Sequence, residues 1–396
     1  MADKSQFRTI VTDSGELERK IREHRRKIRK NVLIVLGLIL AAAAAAVLFV
    51  QFRTCTSYVQ EHVEQRQDSS ASRFVPYGRG FIKYNNDVAI YTDADNHLYW
   101  NQSYEMQTPM IAMCEDYVAF ADQGGTRVYI LNQNGIQGEV DTAMKIDRIR
   151  VANQGTIAVW MEHEGTNYLR MYDKHGSNLA KGALHVENSG YPLDIALCND
   201  GKKLAVSMLN ISEGKVASSI RFYNFGSVGQ NEIDNLVGNF DYGETIIPEI
   251  RFVSNDRMVA FGDSRIVVFE GTQKPQPKTE IVLEHEIKSV FCNEKYIGVI
   301  YNTEEKSGGN RHIDTYDMNG KRVVNRDFSM DYQSAEFLNN GEICICGENE
   351  CLIFSAYGIK RFEYTFDQAV YKILSGATAL HYTFILEGTT EKVRLK

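Results

Sequence analysis

The hydrophobic positions of this chain follow two different patterns. From Val32 to Val50, nineteen consecutive residues carry no charge, and a helix of about 20 apolar residues is long enough to cross a bilayer core. A capping-box pattern at Asp13 and Glu16 predicts that this helix begins near Ser14. Beyond about residue 72 the helical period ends, and short runs of alternating apolar and polar residues predict β-strands.

The β-rich part of the chain repeats one motif. An apolar strand, a tight polar turn and a second apolar strand are followed by a third strand, and several repeats continue into a fourth. The eight strand pairs begin at Gly80, Met110, Asp147, Leu193, Pro248, Ile287, Gln333 and Val370. Four antiparallel strands recurring about every 40 residues are typical of a β-propeller blade. The sequence therefore predicts an all-β fold, an eight-bladed β-propeller preceded by a single transmembrane α-helix, with seven blades as the alternative.

The last repeat reaches Lys396 in its third strand and lacks an outer strand. Ser72–Tyr77 are compatible with a β-strand, and we expect them to supply it, so that the ring closes without an open sheet edge. The predicted domains are a basic cytoplasmic tail (1–31), a transmembrane signal anchor (32–50), a stalk (51–71) and an extracytoplasmic β-propeller (72–396).

Charge is divided unevenly along the chain. Residues 1–31 carry ten Lys/Arg and five Asp/Glu, a net +5, so the remainder carries 34 and 46, a net −12. An acidic domain argues against nucleic acid as a partner, because phosphate binding needs a basic face. The basic run before the apolar segment predicts a single-pass protein of the cell membrane, with its N-terminus in the cytoplasm and its C-terminal domain outside. A cleaved signal peptide is the alternative.

Loop lengths predict a binding face. In a propeller, the turns between first and second strands lie on one face, and the loops between second and third strands and between blades lie on the other. The long insertions, at 210–219, 302–312 and 233–245, all fall in the second class. Variation confined to one face is typical of a binding surface, and drift of unconstrained loops is the alternative.

The connections between blades also carry aromatic and acidic residues. The candidates for ligand or partner binding around the central opening are Tyr191, Asp241, Tyr242, Asp331, Tyr332 and Asp367. Such residues suit a sugar or a cationic group through stacking and carboxylate contacts. In the alternative interpretation, each tyrosine packs against the next blade and each aspartate closes a turn.

No catalytic motif, cofactor or metal site is predicted. The sequence contains no nucleophile elbow, Walker loop or dinucleotide fingerprint. The Glu-His-Glu triplets around His163 and His285 lack the further ligands that zinc needs. Cys114, Cys198 and Cys292 hold equivalent positions in separate repeats, too far apart to pair. We therefore expect buried thiols rather than a disulfide framework.

The basic tail, the apolar anchor, the run GFIKYNNDVAIYTDADNHLYWNQSYEMQTP and the Asn-Gly and Asp-Gly turns resemble a Gram-positive bacterial envelope family, a domain of unknown function. Its members have a signal anchor and a WD40/YVTN-like propeller. The resemblance covers nearly the whole chain and implies a bacterial surface location, without catalytic residues. We expect a binding or scaffold module whose partners are cell-envelope or membrane proteins, or glycans. A carbohydrate-active or lyase-type propeller enzyme is the alternative.

Overall fold

The computed structural model describes residues 14–69, 71–184, 190–212, 214–306 and 309–396. The chain divides into two units, the first ending at Arg53 and the second beginning at Thr54. The first unit contains one helix, α1 (Ser14–Phe52), which begins at the predicted residue and continues through the predicted span.

Within the described part of the chain, no helix is both long enough and apolar enough to cross a membrane. The side chains at positions 44, 46–48 and 50 of the predicted span lie outside the described residues.

The second unit is an eight-bladed propeller. Its described residues form eight four-stranded antiparallel sheets, and in seven of them the strands are adjacent in chain order. The eight-bladed prediction is therefore confirmed, and the seven-bladed alternative is wrong.

The blades, numbered from the N-terminal side, have the following strands from the inner to the outer position. Blades 1 to 4 contain β2 (Arg73–Tyr77), β3 (Gly80–Tyr84), β4 (Val88–Thr92) and β5 (Leu98–Ser103); β6 (Pro109–Cys114), β7 (Tyr117–Asp122), β8 (Arg127–Asn132) and β9 (Gly135–Asp141); β10 (Lys145–Val151), β11 (Ile157–His163), β12 (Thr166–Tyr172) and β13 (Asn178–Leu184); and β14 (Tyr191–Leu197), β15 (Lys203–Ser212), β16 (Lys215–Asn224) and β17 (Leu236–Asp241). Blades 5 to 8 contain β18 (Glu249–Ser254), β19 (Arg257–Phe261), β20 (Arg265–Glu270) and β21 (Gln276–Val282); β22 (Ile287–Cys292), β23 (Tyr296–Lys306), β24 (Gly309–Asp317) and β25 (Arg322–Phe328); β26 (Ser334–Phe337), β27 (Ile343–Cys346), β28 (Glu350–Phe354) and β29 (Lys360–Thr365); and β30 (Val370–Ser375), β31 (His381–Leu386), β32 (Thr389–Leu395) and β1 (Tyr58–Gln65).

Aspartates close several of the turns between third and fourth strands. Asp173 accepts hydrogen bonds from the backbone N–H groups of His175 at 2.9 Å and Ser177 at 2.8 Å. Asp317 closes the equivalent turn of blade 6 in the same way, and a glycine follows three residues later in both turns with a positive φ, 86° at Gly176 and 81° at Gly320. A short acceptor followed by a residue that tolerates the left-handed region ends each strand locally.

The apolar core is divided among the interfaces between neighbouring blades. Between blades 7 and 8, the cluster contains fifteen buried residues, including Phe362 and Phe384. At the seam between blades 8 and 1, the buried cluster consists of Phe74, Phe81 and Ile385 among the described residues. The seam that closes the ring therefore has the least apolar packing.

Of the three cysteines predicted to be buried thiols, Cys198 is buried, and Cys114 and Cys292 are half-buried. Cys114, Cys198 and Cys292 are free thiols on or just after inner strands of separate blades. Burial raises the pKa of Cys114 to about 11 and that of Cys198 to about 12. Both thiols therefore stay protonated at neutral pH, and the Cys198 thiol donates to the Asp200 carboxylate at 3.0 Å.

A strand that precedes blade 1 in the chain does complete the last blade, as predicted. The prediction that Ser72–Tyr77 supply it is wrong. Strand β1 pairs with β32, with Tyr58 opposite Leu395 and Gln65 opposite Thr389. It comes from the predicted stalk. Its side chains are mostly exposed and polar, so the sequence pattern did not identify it as a strand. Arg73–Tyr77, within the predicted segment, instead form the inner strand of blade 1. Gly80–Tyr84 is consequently the second strand of that blade, not the first.

A buried ion pair reinforces the seam. The Arg66 guanidinium donates to the Thr389 carbonyl at 2.6 Å, pairs with Asp68 at 2.8 Å and lies 4.9 Å from the centre of the Phe74 ring. Lys83 of blade 1 also reaches Asp68, at 2.8 Å. Burial alone would raise the pKa of Asp68, but the hydrogen bonds from Arg66 and Lys83 hold it below its ordinary value.

Replacing Asp68 with Asn should lower the free energy of unfolding at pH 7 by about 3 kcal/mol, because two buried cations lose their counter-charge. The pKa of Asp68 in the folded chain lies below 3.8, its ordinary value. Its contribution is therefore present above that pH and is lost as the pH falls through the folded pKa. The difference between the wild-type chain and the variant, measured by chemical denaturation from neutral to acidic pH, should shrink at the acidic end.

The matched control is Glu280→Gln, which removes an exposed partner of Arg265. An exposed pair contributes at most about 1 kcal/mol, so this variant should stay close to wild type throughout. A difference for Asp68→Asn that stays constant across the pH range would contradict the ion-pair argument.

Candidate binding face

Two hairpins project from one face of the propeller. We call the face that carries the connections from second to third strands and from blade to blade the hairpin face, and the opposite one the turn face. The insertions predicted as loops at 210–219 and 302–312 are mainly paired strand. Strand β15 pairs with β16 as far as Ser212 and Lys215, and β23 pairs with β24 as far as Lys306 and Gly309. Positions 213 and 307–308 lie outside the described residues.

The blade 4 hairpin outruns its own sheet. The inner strand β14 pairs with β15 only as far as Leu209, and the outer strand β17 pairs with β16 only from Ser219. The strands continue by residues 210–212 of β15 and 215–218 of β16. At roughly 3.3 Å per residue, these place the tip about 10 Å beyond the sheet. In blade 5 the equivalent hairpin closes where Phe261 pairs with Ile266. The long hairpins of blades 4 and 6 thus flank a short one.

The third predicted insertion is distributed differently. Ile233–Asn235, a short 3-10 turn, lies between β16 and β17 and therefore on the turn face. Leu236–Asp241 is β17 itself, so only residues 242–248 connect blade 4 to blade 5. The expectation that long connections are confined to one face is therefore wrong for blade 4.

One side of the blade 4 hairpin is apolar. Tyr191 pairs with Leu209, and Ile211 pairs with Val216. Side chains alternate along a strand, so Leu209 and Ile211 share a side. Ser207 lies on the same side, where its hydroxyl donates to a carbonyl of the connection to blade 5. This apolar side, with exposed side chains at Tyr191 and Ile211, therefore faces the space above blade 5.

The connection below that space contains two of the predicted candidates. Asp241 accepts a hydrogen bond from the Gly243 backbone N–H at 2.9 Å, which closes a turn. The Tyr242 ring packs against the blade 4–5 core and meets Phe269 edge-on, 6.3 Å between ring centres. Burial raises the pKa of the Tyr242 hydroxyl. Both residues therefore make the contacts of the alternative interpretation, in which the tyrosine packs against the next blade and the aspartate closes a turn.

An aromatic stack lies at the root of the blade 6 hairpin. The Tyr301 ring lies between those of His285 and His312, with ring centres 4.8 and 4.9 Å away. Its hydroxyl donates to the buried Asp314 carboxylate at 3.0 Å, and Asn325 donates to the same group at 2.9 Å. Burial and Asp314 together raise the pKa of Tyr301. A cavity of about 340 Å³ opens beside this cluster.

The cluster has a signal in the sequence, namely polar residues at alternate positions of a strand. His312, Asp314 and Tyr316 occupy alternate positions of β24, so one face of that strand is polar where a third strand should be apolar. Across the described residues, no group of three or more His, Cys, Asp or Glu side chains is arranged to hold a metal ion.

The remaining candidates lie around blades 6 to 8. Asp331 is exposed and accepts from Arg311 of the blade 6 hairpin at 3.1 Å. The Tyr332 hydroxyl hydrogen-bonds Ser289 of β22 at 2.7 Å. Asp367 lies in the connection from blade 7 to blade 8. The structure therefore brings Tyr191, Asp241, Tyr242, Asp331 and Tyr332 to the roots of the two long hairpins, and leaves Asp367 apart from them. Their binding role stays a prediction.

The central opening is lined by other residues. A cavity of about 580 Å³ lies among the inner strands of blades 2 to 5, and none of the six candidates is among its lining residues. Its charged residues are Arg148, Arg150, Asp194, Glu249 and Arg251. Sequence reasoning missed them because strand alternation alone does not show which positions border the opening.

The propeller is similar to solved structures of unrelated sequence. BamB from Moraxella catarrhalis matches with a TM-score of 0.51 and 11% identity, over 86% of this chain and 100% of that one. Sqt1 from Chaetomium thermophilum matches with a TM-score of 0.51 and 12% identity, over 86% and 98% of the two chains. The computationally designed protein Ika8 matches with a TM-score of 0.51 and 11% identity, over 87% and 100%. At these identities the likeness shows the fold alone.

No curated protein matches the sequence significantly. The sequence model of a family of unknown function, DUF5711, matches residues 51–395, from just before β1 to the end of β32. With its whole propeller covered by that match, the chain belongs to the family of unknown function DUF5711.

Proposed function

We propose that this chain is a membrane-anchored module of the bacterial cell envelope, which binds a protein partner outside the membrane on the hairpin face above blades 4 to 6. The observation that carries the proposal is the pair of long hairpins on either side of blade 5. The propeller fold suits a scaffold or binding role, and within this chain these two hairpins are longer than the one of blade 5 between them.

The anchor rests on α1 and its flanks. The segment 32–50 carries no charge, and Leu33, Leu38 and Leu40 within it are exposed on the helix. A continuous row of exposed apolar side chains needs an apolar surrounding. Eight Lys/Arg between Arg19 and Lys30 precede the segment, which favours a cytoplasmic N-terminus. The propeller then lies outside, where envelope proteins are its accessible partners.

The hairpin face suits a protein better than a small ligand. Ile211 on the projecting strand pair and Tyr191 at its root offer exposed apolar surface rather than a concave pocket. Among the described residues, neither β14 nor β17 pairs with the hairpin strands at Asn210–Ser212 or at Lys215–Ala217. Uncovered strand edges can pair with a partner strand, while the apolar side chains supply the buried contact.

The enzyme alternative gains no support from the central opening. On the inner strands, Asp194 is paired with arginine, Glu249 with Arg251 and Glu336 with Lys372. Carboxylates neutralised by neighbouring cations are poorly placed to act as a general acid or base.

Replacing Ile211 with Asp should abolish partner capture, because a charge would enter an apolar contact. The full-length tagged chain is crosslinked in living cells, and the recovered proteins are quantified by mass spectrometry. We expect specific envelope proteins to fall about tenfold or more for the variant, as for a central interface residue.

Ile233→Asp in the same blade is the matched control. Ile233 is even more exposed, 87% against 72% for Ile211, but it lies on the turn face. Capture should therefore be retained. Equal losses for both variants, or recovery of glycans instead of proteins, would refute the proposed face and partner class.

The proposed topology predicts a labelling pattern in intact cells. A membrane-impermeant maleimide should modify Tyr357→Cys, an exposed propeller position, and should leave Arg26→Cys in the basic segment unlabelled until the cells are lysed. The wild-type chain controls for its own thiols. Labelling of Arg26→Cys alone in intact cells, or of neither variant before lysis, would show that the proposed orientation is wrong.

A further inference from the structure

The central opening has a charge opposite to that of the domain around it. Residues 32–396 have a net charge of −12, from 34 Lys/Arg and 46 Asp/Glu. The cavity in the opening is lined by three arginines and two acidic residues, a net +1. This local excess of one positive charge, within a domain of net negative charge, favours the approach of anions.

The negative charge of Asp194 is compensated within the fold by the groups that donate to it. Its side chain is 0% exposed and accepts from Arg148 at 2.6 Å and from Arg150 at 2.8 Å. The backbone N–H groups of Ile195 and Ile250 donate to the same carboxylate at 2.8 and 2.9 Å. With four donors around it, Asp194 fixes the two arginines and links the inner strands of blades 3, 4 and 5.

The two arginines keep donors for a further acceptor. A guanidinium has five N–H groups in a rigid fork. Asp194 takes one from each of Arg148 and Arg150, and Arg150 donates another to the Ile149 carbonyl at 3.0 Å. The side chains are 37% and 32% exposed, so both border the cavity rather than being enclosed. Arg148 also lies against the Trp160 ring, 5.8 Å from its centre. Their positions are therefore set before any ligand arrives.

The third arginine approaches from blade 5. Arg251 pairs with Glu249 two residues away on the same strand, and both line the cavity. Apolar side chains, including Met113, Leu197 and Phe252, also line the cavity. The cavity therefore combines charged and apolar side chains, and its volume of about 580 Å³ is within the usual range of small-molecule sites.

We propose that the central opening binds a small organic anion, through a carboxylate or phosphate group held by Arg148, Arg150 and Arg251. Arginine forks match both groups in two-point hydrogen bonds. This site uses residues separate from the hairpin face, so it stands or falls independently of the partner proposed there.

The test is calorimetric titration of the full-length chain in non-ionic detergent at low salt, with citrate as the carboxylate probe and inorganic phosphate as the other. We expect at least one probe to bind the wild-type chain with a Kd of about 1 mM or tighter. Binding of citrate alone identifies a carboxylate site, and binding of phosphate alone a phosphate site. Added sodium chloride should weaken binding, because these side chains are partly exposed to screening.

Two variants should change the affinity in opposite directions. Arg251→Gln should weaken binding about tenfold by removing a charged donor, whereas Glu249→Gln should strengthen it by removing a competing carboxylate. The four donors to Asp194 are the side chains of Arg148 and Arg150 and the backbone N–H groups of Ile195 and Ile250, so neither substitution removes one of them. Arg265→Gln is the matched control: Arg265 is on the same blade, is 37% exposed against 45% for Arg251, and also pairs with a glutamate.

The proposal is overturned if neither probe binds the wild-type chain, or if Arg251→Gln and Arg265→Gln weaken binding equally. It is also overturned if Glu249→Gln weakens binding while the melting temperature stays at the wild-type value. A merely structural role for these residues cannot produce opposite changes from the two members of one ion pair.

Discussion

Ring closure depends on the pairing of β1 with β32, because it joins the two ends of the propeller in one sheet. Every other blade takes its four strands from one continuous stretch of chain. The seam has the smallest apolar cluster, so burial of hydrophobic surface alone holds it least firmly. The buried pair of Arg66 and Asp68, with Lys83 from blade 1, adds charged hydrogen bonds at this place. An open seam would leave unpaired strand edges.

A closed ring makes the blades rigid and leaves their outer connections free to vary. Each inner strand is held by apolar packing between neighbouring blades, so a change of loop length on a face does not disturb the core. Blades 4 and 6 use this freedom to extend hairpins past their sheets, while blade 5 between them keeps a short one. Paired strands hold their direction far better than open loops of equal length, which favours a defined contact surface.

Buried carboxylates are the second organising element. Asp194 links three inner strands, and Asp314 joins the second, third and fourth strands of blade 6. Glu342 of blade 7 accepts from Arg361 of the same blade at 2.9 Å and from the Tyr382 hydroxyl of blade 8. Each is surrounded by donors, as burial of a charge requires. Such groups specify which strands meet, since apolar contacts tolerate small shifts and hydrogen bonds do not. The same pairing decides which arginine donors remain toward the central opening.

The sequence by itself determined the helix from Ser14, the eight-fold repeat and most strands, because these follow local alternation and turn chemistry. It did not determine that β1 closes the ring or that Arg73–Tyr77 begins blade 1. Both segments are compatible with a strand, and their choice depends on contacts with residues about 300 positions away. The candidate residues of the connections were found by type, but their proximity to the long hairpins was decided by blade order. The tertiary structure also decided that the arginines meet in the central opening and that the rings stack around Tyr301, because spatial neighbours in a ring are distant in sequence.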